Sequence, residues 1–264
     1  MANARLTALA ATFRREITAH RLNRFLHVHL AIAAVAGLLP LFTPAHTSGA
    51  APWWLLQAVL YALSLSALLL GLSSAHGEAE ELALLFTQPV QRWVWLSGKA
   101  AGLAALIVPA ALLLIAPAAL VGGLTVELAG IAAASAGLTL ALAAAGLALG
   151  LWIRDGVRGL LAVMGLWFVL LFGADLLLLA VSGAPWVHRY PTLWIVPLMI
   201  NPLDALRITV LFGFGDAAPA ALDGSRLAGW WIGRSQSWLA LVLVSWTLAG
   251  FLAAVAGSRR SVDV

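Results

Sequence analysis

Residues 77–92 read GEAEELALLFTQPVQR, from Gly77 to Arg92: an acid-rich opening, an apolar middle and a basic end, set between two long apolar runs. Glu78, Glu80 and Glu81 occupy the first turn of a helix, where the aligned peptide dipoles favour carboxylates. Leu82, Leu84, Leu85 and Phe86 supply an apolar face, and Pro89 stops the helix because it cannot donate to the ladder. Gly77 closes the preceding run, and Arg92 and Lys99 are expected to meet lipid headgroups. Two readings fit. The segment is a short helix on the membrane surface that another protein grips, or it is an ordinary interfacial connection.

The flanking runs decide the fold class. The chain has 264 residues, 62% hydrophobic and 10% charged, with a mean hydropathy of +0.98. A soluble domain carries about 25% charged residues, so most of this surface belongs in lipid. The reading is an all-α integral membrane protein, one transmembrane domain over 1–264. Its six spans run roughly Phe25–Phe42, Pro52–Ala75, Ala100–Val121, Leu128–Ile153, Gly159–Val181 and Gln236–Ala256. Each is near the ~20 residues that a bilayer requires. Pro109 and Pro117 lie inside the third, so it is expected to be kinked and packed on neighbours that satisfy the freed carbonyls.

Six spans put both termini on one side. Eleven of the fifteen basic residues fall there, and the short loops of the other side have none. The remaining four, Arg189, Arg207, Arg226 and Arg234, are in the one long loop, 182–235. Short-loop bias sets orientation, so both termini are expected in the cytoplasm. Of the twelve tryptophans, Trp53, Trp54, Trp93, Trp95, Trp186 and Trp238 fall near span ends, as rings at headgroup level do.

Residues 1–24 carry Leu6, Leu9, Phe13, Ile17 and Leu22 at roughly helical spacing, accompanied by five arginines. The pattern predicts an amphipathic helix lying in the interface with its arginines towards anionic headgroups. No small-residue cleavage site follows it, so it does not read as a signal peptide. In the long loop, Asn201-Pro202 is a helix start, with Asn as cap and Pro at the first helical position. Asp204 then sits in the first turn, and Leu203, Leu206, Val210 and Leu211 form an apolar side. A helix over about 202–212 is expected at the outer membrane surface, with Gly213–Ser225 as a looser turn region. The loop reads as a docking platform or as a lid over the spans.

Asp175 is the one acid well inside an apolar span. An ionisable group at that depth costs at least ~2.5 kcal/mol and faces the bundle interior or water. It is a functional candidate, or an acid near the span end reaching for the interface. His27 and His29 are two apart on one span and point to different helix faces, which does not suit a shared metal. His46, His188 and Met199 are on the outer side and could touch copper in principle, though scattered single residues of this kind are usually not ligands. Gly146/Gly150 and Gly98/Gly102 have the spacing of close helix contacts, and Gly159, Gly165 and Gly173 offer a third such surface. There are no cysteines, no phosphate-binding loop, no HExxH and no Ser–His pair evident within the spans, which argues against an ATPase or an intramembrane protease.

Together these features resemble an ABC-2-type transporter permease. More narrowly, the chain is similar to the NosY-type permease of the nitrous oxide reductase (multi-copper enzyme) maturation system. The resemblance rests on Gly77-Glu78, Leu84-Leu85, Pro89, Arg92 and Gly98-Lys99; on Gly165, Trp167, Phe168 and Asp175; and on Asn201-Pro202-x-Asp204-x-x-Arg207 followed by Gly213-Phe214. The family usually has Gly-Thr where Glu80-Glu81-Leu82 stand here, and an Asp where Ser73-Ser74-Ala75 stand. The resemblance implies a homodimer in the bacterial inner membrane, bound to two cytosolic ABC ATPase subunits that hold the ATP and magnesium. A periplasmic β-helix maturation protein is the implied outer partner. No cofactor, metal or nucleic acid is implied for this chain. Gly77, Glu78, Glu80, Glu81, Leu84, Leu85, Pro89 and Arg92 are then the ATPase-coupling residues. Asp175, Asn201, Pro202, Asp204 and Arg207 face the outer partner. A general ABC-2 exporter of a lipid, drug or peptide is the alternative.

Overall fold

The computed structural model describes residues 2–42, 51–77, 91–181, 183–184, 189–190, 192–212 and 226–260. All regular structure among them is helical. Helix α1 is Ala2–His20, and α2 is Arg24–Leu38, extended by a 3-10 turn, Leu39–Phe42. Helix α3 is composite: α-helical Ala51–Gln57, a π-helical turn Ala58–Leu63, and α-helical Ser64–His76. There follow α4 (Arg92–Gly122), α5 (Val126–Trp152), α6 (Gly156–Val181), α7 (Thr192–Ile200), α8 (Pro202–Phe212), α9 (Arg226–Ile232) and α10 (Ser235–Arg260).

Six of these are long and apolar enough to cross a membrane: α2 with its turn, α3, α4, α5, α6 and α10. They match the six expected spans, with one consequential difference. Helix α4 begins at Arg92 rather than near Ala100, and it continues through both Pro109 and Pro117. Gly98, Lys99 and Gly102 are therefore helical residues that face neighbours. At the other end of the chain's first turn, Asn23 separates α1 from α2 and accepts the Phe25 N–H at 2.9 Å. Leu22 lies in that turn, past the end of α1, and is exposed.

Helix α5 is the hub, packed on α3, α4 and α10. Small residues make this possible. A Cβ at Gly71 of α3 would meet the Ala143 carbonyl, and one at Gly146 of α5 would meet the Leu68 carbonyl, so the two backbones touch. Gly150 sits against Ala75 and Leu72, and Gly250 of α10 against Ala144. Lipid offers no hydrophobic drive to pair helices, so close backbone approach supplies much of the attraction. The expected glycine surface on α6 is only partly used within the chain. Gly159 abuts His76 and Leu72, but Gly165 has open space and Gly173 meets only Val169 of its own helix. Leu112, Leu161, Val169, Leu177, Leu241 and Leu252 point outward and are exposed, as side chains facing acyl chains are.

One end of the bundle gathers α1, the end of α3, the starts of α4 and α6, and the ends of α5 and α10; it carries most of the arginines and is called the basic face below. His76 binds the Ile153 carbonyl there at 2.8 Å, and Trp152 Nε1 donates to the Ala253 carbonyl at 2.8 Å. The opposite half holds α7, α8 and α9.

Candidate functional site

At the basic face one carboxylate organises three elements. Glu16 of α1 accepts from Lys99 Nζ of α4 at 2.8 Å and from Ser74 Oγ of α3 at 2.5 Å. His20 Nδ1 lies 3.3 Å from the same carboxylate and 3.2 Å from the Glu16 carbonyl. Glu16 and Lys99 are both fully buried. The Lys99 ammonium also stands 5.7 Å above the Trp95 ring. Glycines bring α1 this close: a Cβ at Gly98 would meet Leu9 and Thr12, and one at Gly102 would meet Glu16 itself. Next to this joint, Asn23 donates to Ser73 at 2.9 Å.

This corrects two expectations. Lys99 does not meet headgroups, because the early start of α4 puts it inside the helix and turned towards α1. Trp95 is not an interfacial ring; it is buried beneath that lysine. The N-terminal helix is present, and it is docked on the spans through its one acid. Burying two charges is tolerable only when they pair and their remaining valences are satisfied, and Ser74 completes the set.

The second cluster lies in the opposite half. Helices α7 and α8 meet at a bend of 99°. Asn201 stands at the break and caps α8, accepting the Leu203 N–H at 3.1 Å. Its amide donates at 2.6 Å to the Leu170 carbonyl of α6 and at 2.6 Å to Asp204. The last carbonyls of α7 find two indoles of α10: Trp238 Nε1 binds Met199 O at 2.9 Å, and Trp246 Nε1 binds Ile200 O at 3.0 Å. Asp204 is buried. Arg207 Nη1 reaches both Asp175 at 3.1 Å and Asp204 at 3.3 Å.

Leu170 and Trp246 each lie roughly eleven residues inside their helices, about 16 Å from the helix end at 1.5 Å per residue. The bend therefore reaches about the middle of the spans. Helix 202–212 has the expected bounds, but its start is tucked between spans rather than laid on the outer surface. The reason is accounting: at that depth every backbone group freed by the break needs a partner; Trp238 and Trp246 donate to the last carbonyls of α7, and Asn201 accepts the first free N–H of α8. Four of the residues marked in sequence, Asp175, Asn201, Asp204 and Arg207, are thus in one hydrogen-bonded group, with Pro202 at the first position of α8. Asp175 is its open member, with its side chain 52% exposed.

Of the predicted gripping segment, Gly77 and Arg92 are among the described residues: Gly77 is the turn after α3, and Arg92 opens α4. Glu78, Glu80, Glu81, Leu84, Leu85 and Pro89 lie outside the described residues, as do His46, Trp186, His188 and the 213–225 turn region. Contrary to expectation, the spans do hold a Ser–His pair. His29 Nδ1 is 2.7 Å from Ser66 Oγ, and both are buried. Ser66 Oγ is also 3.1 Å from the Leu63 carbonyl. The pair ties α2 to α3. Among the described residues, no three His, Asp or Glu side chains converge on a metal-sized site.

Glu16 and Ser74 were not singled out in sequence. The available signal was that Glu16 is the one acid among the first 77 residues, set in an arginine-rich helix. No protein-family model matches the chain, and no curated protein matches it.

Proposed function

We propose that this chain is the permease subunit of an ABC transporter, oriented with the basic face in the cytoplasm. Residues 77–92 would be the grip for a separate ATPase, with ATP and magnesium bound on that partner. The observation that carries the reading is the Glu16 joint. Ser74 precedes the gripping segment and Lys99 follows it, and both close on the same buried carboxylate. A displacement of residues 77–92 is thereby delivered to α1, α3 and α4 together. Such a bundle passes motion between discrete packed arrangements, and the Asp175–Arg207–Asp204 group lies in the half that would receive it.

Within this class we favour the NosY-type role, in the inner membrane as a homodimer with two ATPase subunits and a periplasmic β-helix partner. ATP hydrolysis would then drive maturation of the copper–sulfur centres of nitrous oxide reductase. The support is the Asn201-Pro202-x-Asp204-x-x-Arg207 sequence, whose polar members meet Asp175 in space. Replacing Glu80 and Glu81 together with Lys should leave the protein in the membrane but abolish the copper–sulfur absorption of the reductase. Full maturation in that strain would defeat the coupling role.

A general exporter of an apolar substrate is the second reading. It is favoured by an apolar groove of about 540 Å³ between α5 and α10, bordered by Ala129, Ala133, Thr209 and Ala240. Maturation unaffected by deletion of the gene, with loss of lipid or drug efflux, would select it.

A further inference from the structure

Helix α3 contains one residue too many for an α-helix, and the surplus sits at a defined place. The Ser64 N–H, which in an α-helix would bind the Leu60 carbonyl, instead binds Val59 O. The Leu60 carbonyl is left without its ladder donor in the bundle interior. Ser64 Oγ donates to it, and Trp167 Nε1 of α6 donates to Ser64 Oγ at 3.0 Å. Ser64 is fully buried. Aromatic contacts reinforce the link: Phe172 of α6 lies edge-on to Trp167 at 6.2 Å and 6.3 Å from Tyr61 within the π-helical turn. One turn beyond Trp167, Leu170 of α6 accepts from Asn201 at the α7–α8 break. The π-helical turn in α3 and the break before α8 are thus both held by one stretch of α6.

We infer that the π-helical turn of α3 is a two-state register switch, with Ser64 and Trp167 as its catch. While the indole holds the hydroxyl, the extra residue stays at 58–63. When α6 withdraws the indole, the Ser64 hydroxyl loses the donor that orients it towards the Leu60 carbonyl, and the surplus residue moves along the helix. A segment through which the surplus residue has passed is rotated by about 100° and translated by about 1.5 Å. π-helical turns of this kind are concentrated at functional sites. The basic-face part of α3 is fixed by Ser74 to Glu16, so the part that turns is Ala51–Gln57. The device is a property of the chain alone and operates whether or not an ATPase is its partner.

The chain has no cysteine, so introduced cysteines are unique labels. Spin labels at Trp54→Cys and Leu241→Cys, both exposed positions, report the rotation of Ala51–Gln57 in the full chain in lipid nanodiscs. With the labelled chain diluted in excess unlabelled chain, so that only distances within one chain are read, pulsed electron resonance should give one distance for otherwise unaltered protein. Ser64→Ala and Trp167→Phe should each add a second population shifted by several ångström, and Ser64→Thr should restore the single distance. Deleting Ala62, which removes the surplus residue, should move the whole population to a new distance. A single unchanged distance in both Ser64→Ala and Trp167→Phe would overturn the switch, leaving the turn a static feature. Failure of the Ala62 deletion to fold would also overturn it, by showing that the continuous α-helical register is not accessible.

Discussion

The two polar clusters use the same chemistry, a carboxylate shared with a basic side chain inside a helical bundle, and differ in what surrounds it. Glu16 at the basic face is sealed: fully buried, with Lys99, Ser74 and His20 around it. In the opposite half Arg207 divides itself between a buried Asp204 and an Asp175 that is about half exposed. A saturated, dry pair is a fastening, because breaking it strands a charge. An open pair is weak as a fastening and is available to solvent, ligand or protein. The first cluster is therefore the fastening of the two, and the second is the one with a charged side chain open to its surroundings.

If the first cluster is a fastening, Lys99→Met should be among the most damaging single changes in the chain. It leaves the Glu16 carboxylate buried without its cation, a loss of about 3–5 kcal/mol, measurable by unfolding in mild detergent. The double variant Glu16→Gln/Lys99→Met should recover most of that loss, since it strands no charge. Equal damage in single and double variants would mean that packing, not charge, holds α1.

A smaller effect is expected from Gly102→Ala. The new methyl would meet the Glu16 side chain, and overpacking of this kind destabilises by about 1–3 kcal/mol. Protease accessibility of α1 should rise in step.

Asn201→Ala removes the cap of α8 and a donor to Leu170 at mid-depth, for about 1–3 kcal/mol. Its size relative to Lys99→Met ranks the two regions directly.

The smallest stability effect belongs to Asp175→Asn, below about 1 kcal/mol for a partly exposed pair, while its effect on activity in vivo should be severe. Large destabilisation with activity retained would exchange the roles of the two clusters.

The sequence made the helices legible because lipid imposes one rule, about twenty apolar residues per crossing, that composition alone obeys. It also marked Asn201, Asp204 and Arg207, since a cap, a first-turn acid and a base one turn on form a local pattern. It did not show that their helix starts near mid-depth, because the indoles that permit this, Trp238 and Trp246, come from a different span. Glu16 and Lys99 are separated by 83 residues, and no periodicity joins them. Lys99 on its own reads as an interfacial residue, and Glu16 carries no mark. The π-helical turn was hidden for a similar reason: its surplus residue is stabilised by Trp167 of another helix, and nothing in Ala58–Leu63 itself departs from an ordinary apolar run.

The central claim, that this chain is moved by a partner which grips residues 77–92, is tested most directly by affinity purification from native membranes in mild detergent, with partners identified by mass spectrometry. The account predicts that a P-loop ATPase accompanies the unaltered chain and is lost from the Glu80→Lys/Glu81→Lys variant. Absence of any such ATPase from both, while a known ABC complex handled in parallel stays intact, would contradict it.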